Sequence, residues 1–323
     1  MDSRKKRSRK SWIASPDVKS GHTGQINVDQ KVVDPDDSSS DNSEEDLTIA
    51  AAPRNGVQDK DVSDDNMNAE ERAVAAGESV SVDFIFSDPR ESHFHIVKQF
   101  LLSYMPRSQP FDVSGLANAI VGQVTAGTMV SVEGQDDVYG FVTALNLKRF
   151  EKETSIQQVV QLVTNKCPSV ERPKLQQILS TKNVALVINE RMINLPYQLV
   201  PALHSALHKD IEWAAKNEDT EELRSSFQMD YFLILATCTE RKSRRGGSSK
   251  SKKMKTTYDE TTKFFQNFED EFLEQEAEVT FAIETPLTGR ECVDKSCKTT
   301  VVMLLERERH KAAITNISAM ISV

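Results

Sequence analysis

The chain has 323 residues, 40 lysines and arginines against 49 aspartates and glutamates, and so a net charge of −9. That length allows one large domain or two small ones, and 38% hydrophobic against 28% charged residues is polar for a chain folded throughout. No apolar run approaches the ~20 residues of a membrane span and no secretory h-region is found; the scattered Cys167, Cys238, Cys292 and Cys297 suggest reduced thiols in an intracellular protein.

Arg4, Lys5, Lys6, Arg7, Arg9 and Lys10 form a compact basic cluster that reads as a nuclear import signal. From about Asn27 to Gly77 the chain turns acidic, with Asp34, Asp36, Asp37, Asp41 and Glu44 to Asp46 interleaved with serines. Such a tract buries too little apolar surface to offset its chain entropy. Residues 1–79 are therefore expected to be a disordered, basic-then-acidic tail. Ser38 and Ser43 each have an acidic residue three positions on, Asp41 and Asp46, which makes both candidate phosphorylation sites.

Order is expected from Val80, where Val80, Val82, Phe84 and Phe86 alternate onto one face of a strand. Asp88-Pro89 closes it and leads into a helix carrying Phe94, Val97, Leu101 and Leu102. A second helix is predicted from Asp112 to Val124, stopped by Gly127. Strands over 127–132 and 138–147 flank a Gly-Gln-Asp-Asp turn and read as a hairpin. Short helices follow near 155–163 and 174–180.

The centre of the pattern is 183–216. Asn183 to Ile188 is a short, continuous apolar run, the mark of a strand covered on both faces. Leu199, Leu203, Leu207 and Ile211 then recur every four residues, as in an amphipathic helix. Between them Asn189 to Pro196 reads as a polar corner. Pro196 suits a first helical turn; Pro201 either kinks the helix or marks its start. Asn189, Glu190 and Arg191 are either ligand-facing groups at the end of a central strand or a structural corner. The corner carries more weight, because no nucleophile, histidine or glycine loop lies nearby in sequence.

A third buried strand is predicted over 228–239, followed by a flexible basic insertion near 241–257. Phe264, Phe265, Phe268, Phe272 and Leu273 recur beside Glu269, Asp270, Glu271 and Glu274, an acidic amphipathic segment offered as the partner-binding surface. Strands over 278–285 and 299–306 and a helix over 307–322 complete an α/β domain, 80–323, with a mixed sheet.

No catalytic, cofactor or metal site is expected. The glycines fall into no phosphate-cradling spacing and there is no G-x-S-x-G elbow. His93 and His95 fall on different sides of a helix and read as solvated or capping. His204 and His208 have ligand spacing, but Ser205 stands where a zinc protease needs glutamate. Cys292 and Cys297 lack a second pair to complete a zinc set.

Val82 to Phe86 with Asp88-Pro89, Asp137 to Leu147, Leu186 to Pro196 with Val200-Pro201, and Asn267 to Glu271 together resemble the BCCIP family. The most specific of these holds Asn189, Glu190, Arg191, Asn194, Pro196 and Pro201. The resemblance implies a fold similar to GNAT acetyltransferases, a mixed sheet with helices on both faces, but the Q/R-x-x-G-x-G/A motif of those enzymes is absent. It implies a nuclear, non-enzymatic chaperone that escorts a basic large-subunit ribosomal protein in ribosome biogenesis. The other role it implies is an adaptor in genome maintenance and cell-cycle control, binding a recombination mediator and a cyclin-dependent kinase inhibitor. No cofactor and no membrane association follow from it, and nucleic acid is not the expected partner.

Overall fold

Alternation of side chains sends every second strand residue to the opposite face, so a strand buried along its whole length must have cover on both sides. Val184 to Ile188 are all buried, and the structure, a computed structural model, supplies both covers. It describes residues 11–14, 28–31, 83–106, 110–134, 137–242, 261–284 and 296–321, in two units, Met1–Asp83 and Phe84–Val323.

In the first unit β1 (Ser11–Ala14) pairs antiparallel with β2 (Val28–Lys31). The import cluster, Ser38, Ser43 and the rest of the expected tail lie outside the described residues.

In the second unit β3 (Phe84–Ser87), β4 (Gly127–Val132), β5 (Val138–Asn146) and β6 (Val184–Arg191) are neighbours, antiparallel throughout. The tight turn between β4 and β5 uses Gly134 at φ 78°, a conformation that favours glycine. β6 then runs parallel to β7 (Tyr231–Lys242), which pairs antiparallel with β8 (Thr261–Phe265) and β10 (Ser296–Glu306); β9 (Val279–Glu284) pairs with β10. The sheet is mixed, as expected.

One face carries α1 (Phe94–Leu101), α2 (Val113–Gly122), α3 (Thr154–Lys166) and α4 (Arg172–Thr181). Their Val97, Leu101, Leu116, Ile120, Ile156 and Leu175 share one core with Leu186 and Ile188 of β6. The other face is packed by α5 (Leu199–Asn217) and α8 (Arg307–Ile321), which contact each other and the sheet; α6 (Glu221–Ser226) follows α5, and α7 (Glu269–Glu276) lies against α8. Leu199, Leu203, Leu207 and Ile211 are buried as their spacing predicts. Pro201 is the third residue of α5, where the backbone N–H has no intrahelical partner to lose.

Several boundaries differ from the sequence reading. Leu102 lies past the end of α1 and is exposed. Asp112 caps α2 by accepting from the Gly115 N–H at 2.8 Å, and the helix ends at Gly122; Gly127 opens β4 instead of stopping the helix. α6 gave no apolar signal because none of its residues is buried. Arg241 and Lys242 belong to β7, paired with Ser296 and Thr261, and not to the basic insertion; residues 243–260 lie outside the described set.

The largest correction concerns Asn189 to Arg191. They form no corner: β6 continues through them, opposite Val142, Phe141 and Gly140 of β5. At the last pair only glycine fits, since a Cβ on Gly140 would stand 2.6 Å from the Arg191 Cβ. Gly140→Ala should therefore displace Arg191 and destabilise the chain by about 1–3 kcal/mol, measured by denaturant unfolding; a change within error would show that Arg191 can shift freely.

Candidate functional site: a sealed fork in the sheet

Parallel strands that diverge expose the backbone groups on their facing edges, and buried ones must find other partners. β6 and β7 pair only from Val184–Tyr231 to Val187–Ile234. Beyond this the edge of β7 is taken by β8, from Cys238 onward. A fork opens between them, and the turn from β8 into α7 fills it. The Gln266 N–H donates to the Thr237 carbonyl at 2.9 Å, and the Asn267 side chain donates to the Asn189 carbonyl at 3.1 Å. One residue thus closes onto β7 and the next onto β6.

On the α5 side of the sheet Arg191 meets Glu269, the first residue of α7. The two form a bidentate ion pair, with Arg191 Nη2 donating to Glu269 Oε2 at 2.7 Å and Arg191 Nη1 donating to Oε1. Asn189 Nδ2 donates to Glu269 Oε1 at 2.6 Å and lies 3.2 Å from His204 Nε2. Burial alone would raise the Glu269 carboxyl; the hydrogen bonds and charge of Arg191, with help from His204, hold it below the usual carboxylate range.

On the opposite side Glu190 and Asp270 approach Tyr104. Burial pushes the Glu190 carboxyl up to about 7, against the opposing pull of Arg191. Burial, then the neighbouring Glu269, also raises Asp270. The Tyr104 hydroxyl is raised by burial and by both carboxylates. Burial is the largest cause in all three, and Glu190 adds to the rise at Tyr104 and Asp270, so the cluster carries less negative charge than three free acids would. The cavity left at the fork, about 20 Å³ and lined by Val187, Asn189, Glu190, Thr237, Asn267 and Asp270, has room for water and none for a coenzyme.

Beside this network lie three buried histidines. His208 Nε2 is 2.9 Å from His310 Nδ1, and the His204 and His208 rings stand 5.2 and 5.0 Å from that of His310. Burial lowers His208 to about 3 and pushes His310 well down, so both sit neutral in the core. The ligand-like spacing of His204 and His208 therefore packs them onto α8. Among the described residues no group of three or more His, Cys, Asp or Glu is placed to hold a metal ion, and no helix is long and apolar enough to cross a membrane. His93 caps instead, its Nδ1 accepting from the Arg90 N–H at 3.2 Å. Cys167 and Cys238 are buried and neither is in a disulfide.

The acidic segment needs correcting. Glu269 and Asp270 are buried inside the fork and form no contact surface; Glu271 is exposed, and Glu274, half-buried, pairs with Lys263 at 2.8 Å. Of the motif residues, Asn189, Glu190 and Arg191 build the fork, Asn194 is exposed and Pro201 is buried. The Pro196 carbonyl accepts the Leu199 N–H, the first residue of α5. Tyr104 and His310 gave no sequence signal, being distant from the residues they meet. Asn267 stands beside the acidic run, in the stretch Asn267 to Glu271 that also carries the family resemblance.

The arrangement defines a mixed α/β protein whose central fork is filled by its own side chains. Comparison with known proteins gives the family. Residues 79–273 match the family profile described as BCCIP. The chain is 32% identical over 192 residues to Protein BCCIP homolog of Arabidopsis thaliana, covering 58% of this chain and 57% of that one. It is 30% identical to Protein bcp1 of Aspergillus oryzae, over 72% of this chain and 82% of the relative. The chain belongs to the BCCIP family. The crystal structure of BCP1 from Saccharomyces cerevisiae shares the fold at a TM-score of 0.53 and 22% identity, over 79% of this chain and 97% of that one.

Glu190 yields a pH test. Its folded value lies above its unfolded one, so the folded chain holds that proton between about pH 4.5 and 7, and stability falls as pH rises through this window. His208 and His310, lowered in the fold, act in the opposite direction below about pH 6.5, so the parent's own profile mixes the two. Glu190→Gln isolates the carboxyl: its stability relative to the parent should rise by roughly 3 kcal/mol across the window and level off above it. A difference that does not change with pH would show Glu190 to be ordinary.

Proposed function

We propose that this chain is a non-enzymatic nuclear chaperone that escorts a basic protein of the large ribosomal subunit before assembly. Its membership of the BCCIP family carries the reading. Charge supports it: a ribosomal protein off the ribosome exposes basic, RNA-binding surface, and a partner of net charge −9 both attracts and screens such a surface. The basic cluster from Arg4 to Lys10 supports a nuclear location. The sealed fork favours binding over catalysis, since the place where two central strands part is occupied by Asn267 and Asp270.

Affinity capture from nuclear extract at low and high salt, with mass spectrometry, tests the reading. The expected result is one basic large-subunit ribosomal protein, lost at high salt. Recovery of a recombination mediator or a cyclin-dependent kinase inhibitor in its place would transfer the role to genome maintenance. Acetyl-CoA should leave the melting temperature unchanged; a rise would contradict the non-enzymatic reading.

A further inference from the structure

Large apolar side chains on a surface need explanation when they are held rigidly and lie together. The loop between β6 and α5 carries three of them in six residues: Ile193 is 97% exposed, Tyr197 54% and Met192 36%. The Tyr197 ring stands edge-on to that of Phe268 at 6.2 Å, which joins the loop to the start of α7. The loop is tied at both ends of its first turn. The Met192 N–H donates to the Tyr139 carbonyl at 2.8 Å and the Leu195 N–H to the Met192 carbonyl at 3.1 Å, while the Leu195 side chain is buried below. Arg191, immediately before Met192, is tied to Glu269, immediately after Phe268. The ion pair therefore ties together the backbones that carry both halves of the patch.

The charge around the patch is one-sided. The Arg191 guanidinium turns inward onto Glu269 and lies 6.0 Å from the Phe268 ring, so it gives the surface no cation. α7 carries Glu271, exposed, one turn from Phe268, and has no basic residue of its own. An apolar surface with an acidic rim suits a basic protein that presents a large apolar residue among lysines and arginines. Preformed surfaces of this kind bind well because little conformational freedom is lost on docking.

We propose that Met192, Ile193, Tyr197 and Phe268 form the docking surface for an apolar anchor residue on a basic partner protein, with Glu271 contributing the complementary charge. The inference rests on the escort reading and supplies the site that reading lacks. Since the acidic arm and the two carboxylates Glu269 and Asp270 are not part of it, recognition is anchored by apolar contact and oriented by charge.

The test uses the full chain and, as probe, the basic proteins extracted from purified large ribosomal subunits. Three variants change exposed side chains: Ile193→Asp and Glu271→Lys in the patch, and Thr280→Asp on β9 as a control. Ile193→Asp should lower capture roughly tenfold or more at every salt concentration at which the parent still captures, with an unchanged melting temperature. Glu271→Lys should weaken capture at low salt and lose its effect as salt rises, and Thr280→Asp should match the parent. Equal capture by parent and Ile193→Asp overturns the docking surface and leaves the escort function standing. No capture by the parent overturns both. A parent that elutes as a dimer, with Ile193→Asp a monomer, identifies the occupant as a second copy and overturns the proposal.

Discussion

The Arg191–Glu269 ion pair is the charged link between the end of β6 and the start of α7, beside the hydrogen bonds that Asn189 and Asn267 make between the same parts. Two charges removed from water incur a large desolvation cost, which is offset only by close geometry and by hydrogen bonds to the remaining polar atoms. Here the pair is bidentate and Asn189 satisfies a further lone pair of Glu269. Such a pair is weak evidence for net stability, since well-packed apolar residues could fill the same space. Its effect is specificity: Glu269 is buried in comfort only when α7 starts over the end of β6, which places Asn267 and Asp270 inside the fork.

That constraint reaches the surface in a single step. The residue after Arg191 and the residue before Glu269 are Met192 and Phe268, both at the apolar patch. A network buried in the sheet thus sits directly behind the exposed apolar groups proposed to face a partner. The raised carboxyls of Glu190 and Asp270 beside Tyr104 and the neutral rings of His208 and His310 fit a structural role, because burial is the largest cause of each shift.

Much of the fold could be read in the chain because local periodicity and burial agree. The Asn183 to Ile188 run and the four-residue spacing from Leu199 gave the central strand and its covering helix, and the alternation of Phe84 and Phe86 gave β3. The reading failed where polar residues are buried. Asn189, Glu190 and Arg191 looked like a corner, since polar groups in a strand normally mark its end; a partner 78 residues on keeps them inside. Glu269 and Asp270 looked like a surface for the same reason. Sequence carries composition and period, and neither encodes which distant charge neutralises a buried one. The clue that did exist was the resemblance: Leu186 to Pro196 and Asn267 to Glu271 are both among the stretches that carry it, and they meet.

The most direct test of this account is a double-mutant cycle on the pair, with Arg191→Met, Glu269→Gln and the double variant compared by denaturant unfolding. Each single change should cost about 3–5 kcal/mol, because it strands a buried charge or leaves its partner unsatisfied. The double variant should cost much less than their sum, with a coupling of roughly 2 kcal/mol or more. Additive losses would contradict the account, for they would mean that Arg191 and Glu269 hold their places independently and that the fork is closed by something else.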